Sequence, residues 1–216
     1  GRAEARRLAA LYRLDLPEVA QQLLDSDENL PPEPSHPVFV NNSVVTIASA
    51  ALSLEAAADM ARQAGIEAAI LSDAIEGEAR DVAQVHAALA REIAVRNRPF
   101  KKPVVLLSGG ETTVTLRGKG RGGRNGEFLL ALAIALDGVE GVSALAGDTD
   151  GIDGSEDNAG AFVDGTTARR MREAGIDPQA ALANNDAYTA FEAIGELFVT
   201  GPTGTNVNDF RAIIIR

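Results

Sequence analysis

A basic, glycine-rich segment at residues 117–126, RGKGRGGRNG, carries the strongest chemical signal in the sequence. Its Lys and Arg side chains supply positive charge, and its paired glycines would let the backbone approach a ligand closely. A helix is predicted directly after it, so free N–H groups would point in the same direction. These features predict a phosphate-binding loop, and a solvated surface turn is the alternative. The residues that carry the prediction are Lys119, Arg121, Gly122, Gly123 and Arg124.

The same segment contains the spacing G-x-G-x-x-G, at Gly118, Gly120 and Gly123. This spacing occurs in dinucleotide-binding folds, where a buried strand precedes the glycines and a helix follows them. The preceding residues 112–116, TTVTL, alternate between polar and apolar, as a half-exposed strand does. The pattern therefore argues against a nicotinamide-dependent enzyme but leaves it as an alternative.

A cluster of carboxylates at residues 148–154, DTDGIDG, follows a predicted apolar strand. Closely spaced carboxylates can bind Mg²⁺ through one or two oxygens, with water completing the shell. One of them could instead accept a proton from a substrate hydroxyl group. A turn rich in Asp and Gly, without a ligand, is the alternative.

A third polar segment, TGPTGTNVND at residues 200–209, also follows a predicted strand. It holds many side-chain donors and acceptors, and its Gly and Pro residues favour special backbone angles. Such a loop is suited to lining a polar pocket.

Glu111, which follows the sequence SGG, is a candidate ligand or a turn residue. Open α/β sheets bind ligands beyond the carboxyl ends of their strands, where these segments are predicted to lie.

Hydrophobic periodicity predicts the elements that carry these segments. In the first part of the chain a polar, Pro-rich connector at 26–37 follows two short helices. The order strand, helix, strand, helix then predicts a parallel βαβα unit. The predicted strands are 38–42 and 67–72, and the predicted helices are 53–64 and 78–96.

The pattern changes after a predicted boundary at residues 97–103. An apolar strand at 103–107 is expected to end in a Gly turn before the strand at 112–116, and residues 127–136 predict a buried helix. Further strands are predicted at 142–146, 197–201 and 211–216. We therefore predict an α/β fold in two parts. An incomplete parallel βαβα layer covers 1–98, and an α/β domain with a mixed sheet covers 103–216.

Composition excludes several classes of function. The formal charge of −11 disfavours nucleic acid and anionic membranes as partners. The sequence has no Cys, which excludes disulfides, thiol catalysis and Cys-based zinc sites and fits a cytoplasmic location. No apolar stretch approaches the roughly 20 residues that span a bilayer. Hydrophobic residues make up 45% of the chain, enough to bury a sizeable core.

These segments, in this order, resemble the MOFRL-type glycerate 2-kinases. The matching strings are LLSGGETTVTLRGKGRGGRNGEF, TDGIDG, NND at 184–186 followed by Tyr188, and TGPTGTNVNDF. The resemblance identifies 103–216 with the C-terminal, MOFRL-like domain of the family. It identifies 1–98 with the end of the family's N-terminal glycerate kinase domain. Two positions depart from the family pattern, which usually has Gln in place of Gly126 and Gly in place of Asp148.

The resemblance implies that the γ-phosphoryl group of ATP is transferred to the 2-hydroxyl of D-glycerate, with Mg²⁺. Family members are also often labelled hydroxypyruvate reductase, so an NAD(P)H-dependent reductase is one alternative. A non-catalytic binding or regulatory module is another. The family's N-terminal half, with its own Gly-rich motifs, is missing here. We therefore expect that half as a partner and expect this chain alone to be inactive, and a homodimer is left open.

Carried onto the matching positions, the resemblance also gives site residues. Arg124 and Asp150 are the expected catalytic residues, and Asp150 and Asp153 are the expected metal ligands. The expected substrate or phosphate ligands are Lys119, Arg121, Gly122, Gly123, Asn125, Glu111, Thr205, Asn206, Asn208 and Asp209.

Overall fold

The computed structural model describes residues 1–26 and 30–216. These residues form two compact units, 1–46 and 47–216. The first unit contains helices α1 (Arg2–Leu11) and α2 (Glu18–Asp25). Part of the predicted connector at 26–37 lies outside the described residues. None of the helices in the described parts of the chain is long and apolar enough to span a membrane.

The strand predicted at 38–42 is wrong. A single 3₁₀ turn, Pro37–Phe39, occupies the start of this stretch. Pro37 fixes its own φ angle and lacks an N–H donor, and the N–H group of Val38 donates to Nδ1 of His36 at 3.1 Å. Local capping therefore takes up a donor that a strand would need for a ladder.

The second unit holds a six-stranded sheet with the strand order β1-β2-β6-β3-β4-β5. Strands β1 and β2 are parallel, and each of the other neighbouring pairs is antiparallel. The strands are β1 (Glu67–Glu78), β2 (Val104–Thr113), β3 (Val142–Asp148), β4 (Gly160–Asp164), β5 (Leu197–Phe198) and β6 (Asp209–Ile215). The helices are α3 (Ala50–Gln63), α4 (Ala79–Arg96), α5 (Arg124–Ala135), α6 (Thr167–Glu173), α7 (Pro178–Ala183) and α8 (Ala187–Glu192).

The prediction of an α/β fold with a mixed sheet is confirmed, and the strands belong to one open sheet. Residues 97–103, predicted as a boundary, connect α4 to β2, and strands on either side of them, β1 and β2, pair in the same sheet. The division into domains at 1–98 and 103–216 stays a prediction about the family's domain organisation.

Alternating side chains of the sheet build a core on each face. On one face, α4 and α5 pack on residues such as Val104, Leu106 and Ile213. On the other face, Leu54 and Ala58 of α3 pack on Leu107. Helix α5 is buried along nearly its whole length, as its apolar sequence predicted. Its fixed position matters because the candidate site lies at its first turn.

The predicted Gly turn after residue 107 is also wrong, since β2 continues through Gly109 and Gly110 to Thr113. Gly110 has φ +124°, and a Cβ atom there would lie 2.2 Å from both the backbone N and O of Ile75. The register of β1 shifts at this point, and its backbone comes close to β2. Glycine is therefore needed for close approach of two strands and not for a turn.

Three strand ends meet at one edge of the sheet. Asp209, the first residue of β6, pairs with Gly110 of β2 on one side and with Asp148 of β3 on the other. Glu111 follows Gly110 directly. The antiparallel insertion of β6 between β2 and β3 thus brings acidic residues from distant parts of the chain together.

Candidate functional site

A cleft of about 820 Å³ opens at this edge of the sheet. Four of the predicted site residues line it together: Glu111, Arg124, Asp150 and Asn206. The other lining residues are Glu76, Gly77, Thr112, Thr113, Val114, Asp148, Ile152 and Gly154.

Arg124 lies at the first position of α5 and contacts three carboxylates. Its Nε donates to Oδ1 of Asp209 at 2.7 Å, and its terminal nitrogens donate to Asp148 at 2.7 Å and Glu111 at 3.0 Å. These contacts raise the pKa of the guanidinium against the opposing effect of desolvation. The side chain is 24% exposed, so a charged head group fixed from three sides still reaches the cleft.

Asp209 lies beneath Arg124 and not in the cleft. It is 2% exposed. Its Oδ1 accepts from Asn125 Nδ2 at 2.9 Å, and its Oδ2 accepts from the Thr112 N–H at 3.2 Å. A buried arginine, Arg211, also donates to Oδ2 at 2.5 Å. Asp209 and Asn125, predicted as substrate ligands, are both buried and do not line the cleft: Asp209 holds Arg124, and Asn125 donates to Asp209.

Asp153 is fully buried and caps α5. Its two carboxylate oxygens accept the N–H groups of Asn125 at 2.9 Å and Gly126 at 2.7 Å, in the first turn of the helix. Burial raises its pKa to about 6, although the two N–H groups favour the ionised form. Asp153, predicted as a metal ligand, is buried and does not line the cleft, and both of its oxygens accept helix N–H groups.

Asp148 enters the cleft although it was not among the expected ligands. Its pKa is raised, chiefly by burial, while the neighbouring Arg124 acts in the opposite direction. The sequence contained a usable signal for this residue, since it ends an apolar strand and departs from the family pattern. Gly126, the other departure, faces inward: a Cβ atom there would lie 3.2 Å from both Ala187 and Asp153. A side chain at this position would require Ala187 or Asp153 to move by a few tenths of an ångström.

Asp150 keeps one carboxylate oxygen near the cleft opening. Its Oδ2 accepts from Asn206 Nδ2 at 3.1 Å, and its Oδ1 accepts the Ile152 N–H at 2.9 Å. Within the described residues, no group of three or more His, Cys, Asp or Glu side chains is arranged to hold a metal ion. Both carboxylate oxygens of Asp150 and the side-chain oxygen of Asn206 accept hydrogen bonds, so these two residues do not form a metal site by themselves.

The backbone of the Gly-rich segment is bound by the protein itself. The N–H groups of residues 117–121 donate to oxygens of residues 184–186. A Cβ atom at Gly118 would lie 2.3 Å from the carbonyl oxygen of Asn184, and one at Gly120 would lie 2.4 Å from Asp186 Cβ. The glycines here allow close packing against protein, and the predicted approach of a phosphate to these backbone groups is not supported.

The predicted ligands Lys119, Arg121, Gly122 and Gly123 do not line the cleft. The guanidinium of Arg121 lies 4.1 Å from the centroid of the Tyr188 ring and donates to Glu156. Lys119 is exposed. Gly122 and Gly123 lead into α5, and a Cβ atom at Gly123 would clash with Asp153 at 2.4 Å.

Three predicted ligands, Thr205, Asn206 and Asn208, belong to the segment before β6. Asn208 has φ +66° and donates its N–H to Asn206 Oδ1 at 3.0 Å, so it shapes the loop. Thr205 lines a neighbouring apolar pocket of about 640 Å³, whose other lining residues include Phe198 and Phe210. The structure therefore leaves Asn206 as the residue of this loop that reaches the cleft.

Acids outnumber cations among the described residues that line the cleft. Glu76, Glu111, Asp148 and Asp150 line it together with Arg124. An anionic ligand would be repelled by this set unless cations from elsewhere or a metal ion accompanied it.

Comparison with known proteins identifies relatives over nearly the whole chain. Residues 104–209 match the MOFRL family. A protein of Agrobacterium vitis, provisionally named a hydroxypyruvate reductase, is 51% identical over 98% of this chain and 54% of its own length. A D-glycerate 2-kinase of Thermotoga maritima is 46% identical over 71% of this chain and 37% of its own length.

The fold has a close counterpart among solved structures. The crystal structure of a glycerate kinase from Thermotoga maritima matches with a TM-score of 0.87 and 37% identity. The match covers 100% of this chain and 50% of that chain. The chain thus spans between 37% and 54% of the length of the proteins it resembles here.

Proposed function

This chain carries a MOFRL-family domain at residues 104–209, and from that premise we propose that it forms part of an ATP-dependent glycerate 2-kinase. The reaction transfers the γ-phosphoryl group of ATP to the 2-hydroxyl group of D-glycerate. The observation that carries the proposal is Arg124, a partly exposed cation fixed by three carboxylates at the mouth of a polar cleft. Phosphoryl transfer depends mainly on positioning and charge stabilisation, and a preorganised guanidinium serves both.

Each cleft residue takes a role that fits its surroundings. Arg124 binds the carboxylate of glycerate or the phosphoryl group in transfer, because its planar fork matches oxyanions. Asp150 accepts the proton of the 2-hydroxyl group or binds Mg²⁺, and Asn206 orients its carboxylate. Glu111 holds Arg124 and lines the same cleft.

The residues present fit Mg²⁺ that is brought by the nucleotide. Magnesium in such sites is held by one or two protein carboxylates together with phosphate oxygens and water. Asp150 supplies one carboxylate in reach of the cleft, and the surplus of acids favours a divalent cation. When bound, the ion would neutralise negative charge on the phosphates.

We further propose that activity requires a domain beyond these 216 residues. The relatives described above are about twice as long or more, and the cleft provides too little positive charge for ATP and glycerate together. The family's N-terminal half is the expected source of further cations. A homodimer and a cytoplasmic location stay predictions.

The test is an assay of the full-length gene product with ATP, Mg²⁺ and D-glycerate, in parallel with the 216-residue chain. We expect 2-phosphoglycerate from the full-length protein, identified by NMR, and none from the chain alone. An Arg124→Gln variant should lose activity, while Arg169→Gln, which removes an exposed arginine paired to Glu173, should not. Kinase activity of the isolated chain would refute the need for a second domain.

A hydroxypyruvate reductase is the second candidate, because one relative at 51% identity carries that provisional name. The G-x-G-x-x-G glycines pack on residues 184–186 and on Asp153, so they are not free to receive a dinucleotide. Oxidation of NADH or NADPH by hydroxypyruvate, with no phosphorylation of glycerate, would favour the reductase over the kinase.

A further inference from the structure

Residues 184–186 accept hydrogen bonds from the backbone N–H groups of the Gly-rich segment. The side-chain oxygen of Asn184 accepts the Lys119 N–H at 3.2 Å, and the backbone carbonyl oxygen of Asn184 accepts the Gly120 N–H at 2.9 Å. Asp186 Oδ1 accepts the Arg121 N–H at 2.9 Å. Asn185, between them, is the residue whose side chain makes the most contacts.

Asn185 uses both ends of its amide. Its Oδ1 accepts the N–H groups of Arg117 at 2.7 Å and Gly118 at 3.0 Å. Its Nδ2 donates to Glu127 Oε2 at 2.7 Å and more weakly to the Thr115 carbonyl oxygen at 3.4 Å. The residue is 6% exposed, so these partners replace water.

The backbone of Asn185 is also unusual, with φ +53°. Asn tolerates this left-handed conformation better than most residues other than Gly. The conformation turns the amide side chain toward both the Gly-rich segment and α5. A different side chain would lose either the backbone angle or the hydrogen bonds.

Glu127 connects Asn185 to the first turn of α5. Its carboxylate is buried, with 2% exposure, and its Oε1 accepts from Arg80 Nε at 2.9 Å. Arg80 in turn donates to the backbone carbonyl oxygen of Leu182, two residues before Asn184. The closed set of contacts fixes the Gly-rich segment against the helix turn from which Arg124 projects.

We propose that Asn185 is a positioning residue, which locks the Gly-rich segment onto the first turn of α5 and so fixes the direction of Arg124. This inference rests on the proposed kinase function for its catalytic consequence. The segment accordingly acts as a rigid support with its N–H groups already taken, and it presents the Lys119 side chain outward. A positioning error of about 1 Å at a reacting group can lower a rate roughly a hundredfold.

The physical contact can be tested on the 216-residue chain by hydrogen exchange. Asn185→Gly keeps the backbone angle and deletes the amide, so exchange of the Arg117 and Gly118 N–H groups should accelerate by at least about tenfold. Trypsin should also cut faster after Arg117, Lys119 and Arg121. Asn97→Gly is the matched control, because Asn97 has φ +54° at the end of α4 and lies in another part of the fold.

The catalytic consequence can be tested on the full-length protein. In Asn185→Gly we expect kcat for glycerate phosphorylation to fall at least about tenfold, with a smaller change in the KM for ATP. The double variant Asn185→Asp with Glu127→Gln reverses donor and acceptor across the same contact and preserves total charge. The kcat of this double variant should be closer to that of the wild type than to that of Asn185→Gly. A general loss of stability at this contact would not allow that result.

The outcomes distinguish the contact between Asn185 and the Gly-rich segment from the proposed positioning of Arg124. Unchanged exchange at Arg117 and Gly118 in Asn185→Gly would overturn the contact itself. Faster exchange in Asn185→Gly with the full wild-type kcat would overturn the positioning role. A double variant whose kcat is as low as that of Asn185→Gly would overturn it as well. A wild-type protein without kinase activity would overturn the proposed function and the catalytic part of this inference, while the exchange measurement would still decide the contact.

Discussion

At the scale of residues, the site depends on one cation surrounded by carboxylates in different environments. Glu111 is exposed, Asp148 is nearly buried and Asp209 is buried, yet all three contact the guanidinium of Arg124. Asp209 also contacts buried Arg211, so its charge is shared between two cations. This sharing leaves Arg124 less neutralised by Asp209 and more available to an anion in the cleft.

Replacing Arg124 by Lys tests whether geometry or charge matters. Lys keeps the positive charge but cannot contact three carboxylates with one fork. We expect kcat/KM for D-glycerate in the full-length protein to fall about a hundredfold or more. The thermal midpoint should fall only slightly, since the buried Asp209 keeps Arg211 as a cationic partner. Full activity of the Lys variant would show that charge alone suffices.

The raised pKa of Asp153 should make the free energy of unfolding depend on pH. Its carboxyl group keeps its proton up to about pH 6 in the folded protein, whereas the ordinary pKa is 3.8. The folded state therefore binds more protons between these values, and the free energy of unfolding falls as pH rises through this window. Relative to Asp153→Asn, the wild type should lose up to roughly 3 kcal/mol between pH 4 and 6.5.

Urea denaturation at several pH values measures this difference. Other titrating groups are common to both proteins, so the comparison isolates Asp153. The control is Asp177→Asn, which alters the exposed N-cap of α7 and its bond to the Gln179 N–H. Parallel stability curves for wild type and Asp153→Asn would contradict the raised pKa.

At the scale of elements, helix α5 starts without a cap from its own sequence. Its N-cap residue is Gly123, and the donors of its first turn are satisfied by Asp153 from another loop. Strand β2 likewise depends on its partner, since Gly110 lies against the irregular part of β1 at Ile75. The positions of both elements are therefore set by contacts between segments.

Gly110→Ala tests the close approach of β1 and β2. The new Cβ atom would meet the Ile75 backbone at 2.2 Å, and φ would remain at an angle that Ala avoids. We expect a loss of roughly 3 kcal/mol or more in the free energy of unfolding. Gly138→Ala is the control, because φ is +77° but nothing lies within 4 Å, and it should cost about 1 kcal/mol. Equal losses in the two variants would show that no clash occurs at Gly110.

At the scale of the whole molecule, the unit at 47–216 contains the entire sheet and both of its cores. The core is built mainly from Ala, Leu, Val and Ile, with Phe128, Phe191, Met171 and Tyr188 also buried. All residues that line the cleft belong to this unit. The cleft and its fold therefore have their stabilising contacts within one contiguous stretch of sequence.

We predict that residues 47–216, expressed alone, fold cooperatively. The apolar area buried in two layers on a six-stranded sheet is sufficient for independent stability in a domain of this length. Circular dichroism and a thermal melt would check this, with the 216-residue chain as reference. A non-cooperative melt, or loss of the near-ultraviolet signal, would show that residues 1–46 are needed for the fold.

The sequence predicted most of the elements because they depend on local patterns. Helix α4 and strand β1 begin within a residue of their predicted starts, and the buried nature of α5 followed from its apolar run. The failures at 38–42 and at the Gly109–Gly110 pair have different causes. At 38–42 a 3₁₀ turn capped by His36 takes the place of a strand, whereas Gly109 and Gly110 continue β2 because its partner β1 comes close there. Hydrophobic periodicity shows neither a local cap nor a partner segment.

For the candidate site, the sequence by itself determined which chemical groups were available: a cationic glycine-rich segment, clustered carboxylates and a polar loop. Only the tertiary structure decided their roles, because the partners lie far apart along the chain. Asp153 caps a helix 28 positions earlier, and Asp209 holds an arginine 85 positions earlier. Burial then separates carboxylates that look alike in sequence, leaving Asp150 at the cleft and Asp153 inside the protein.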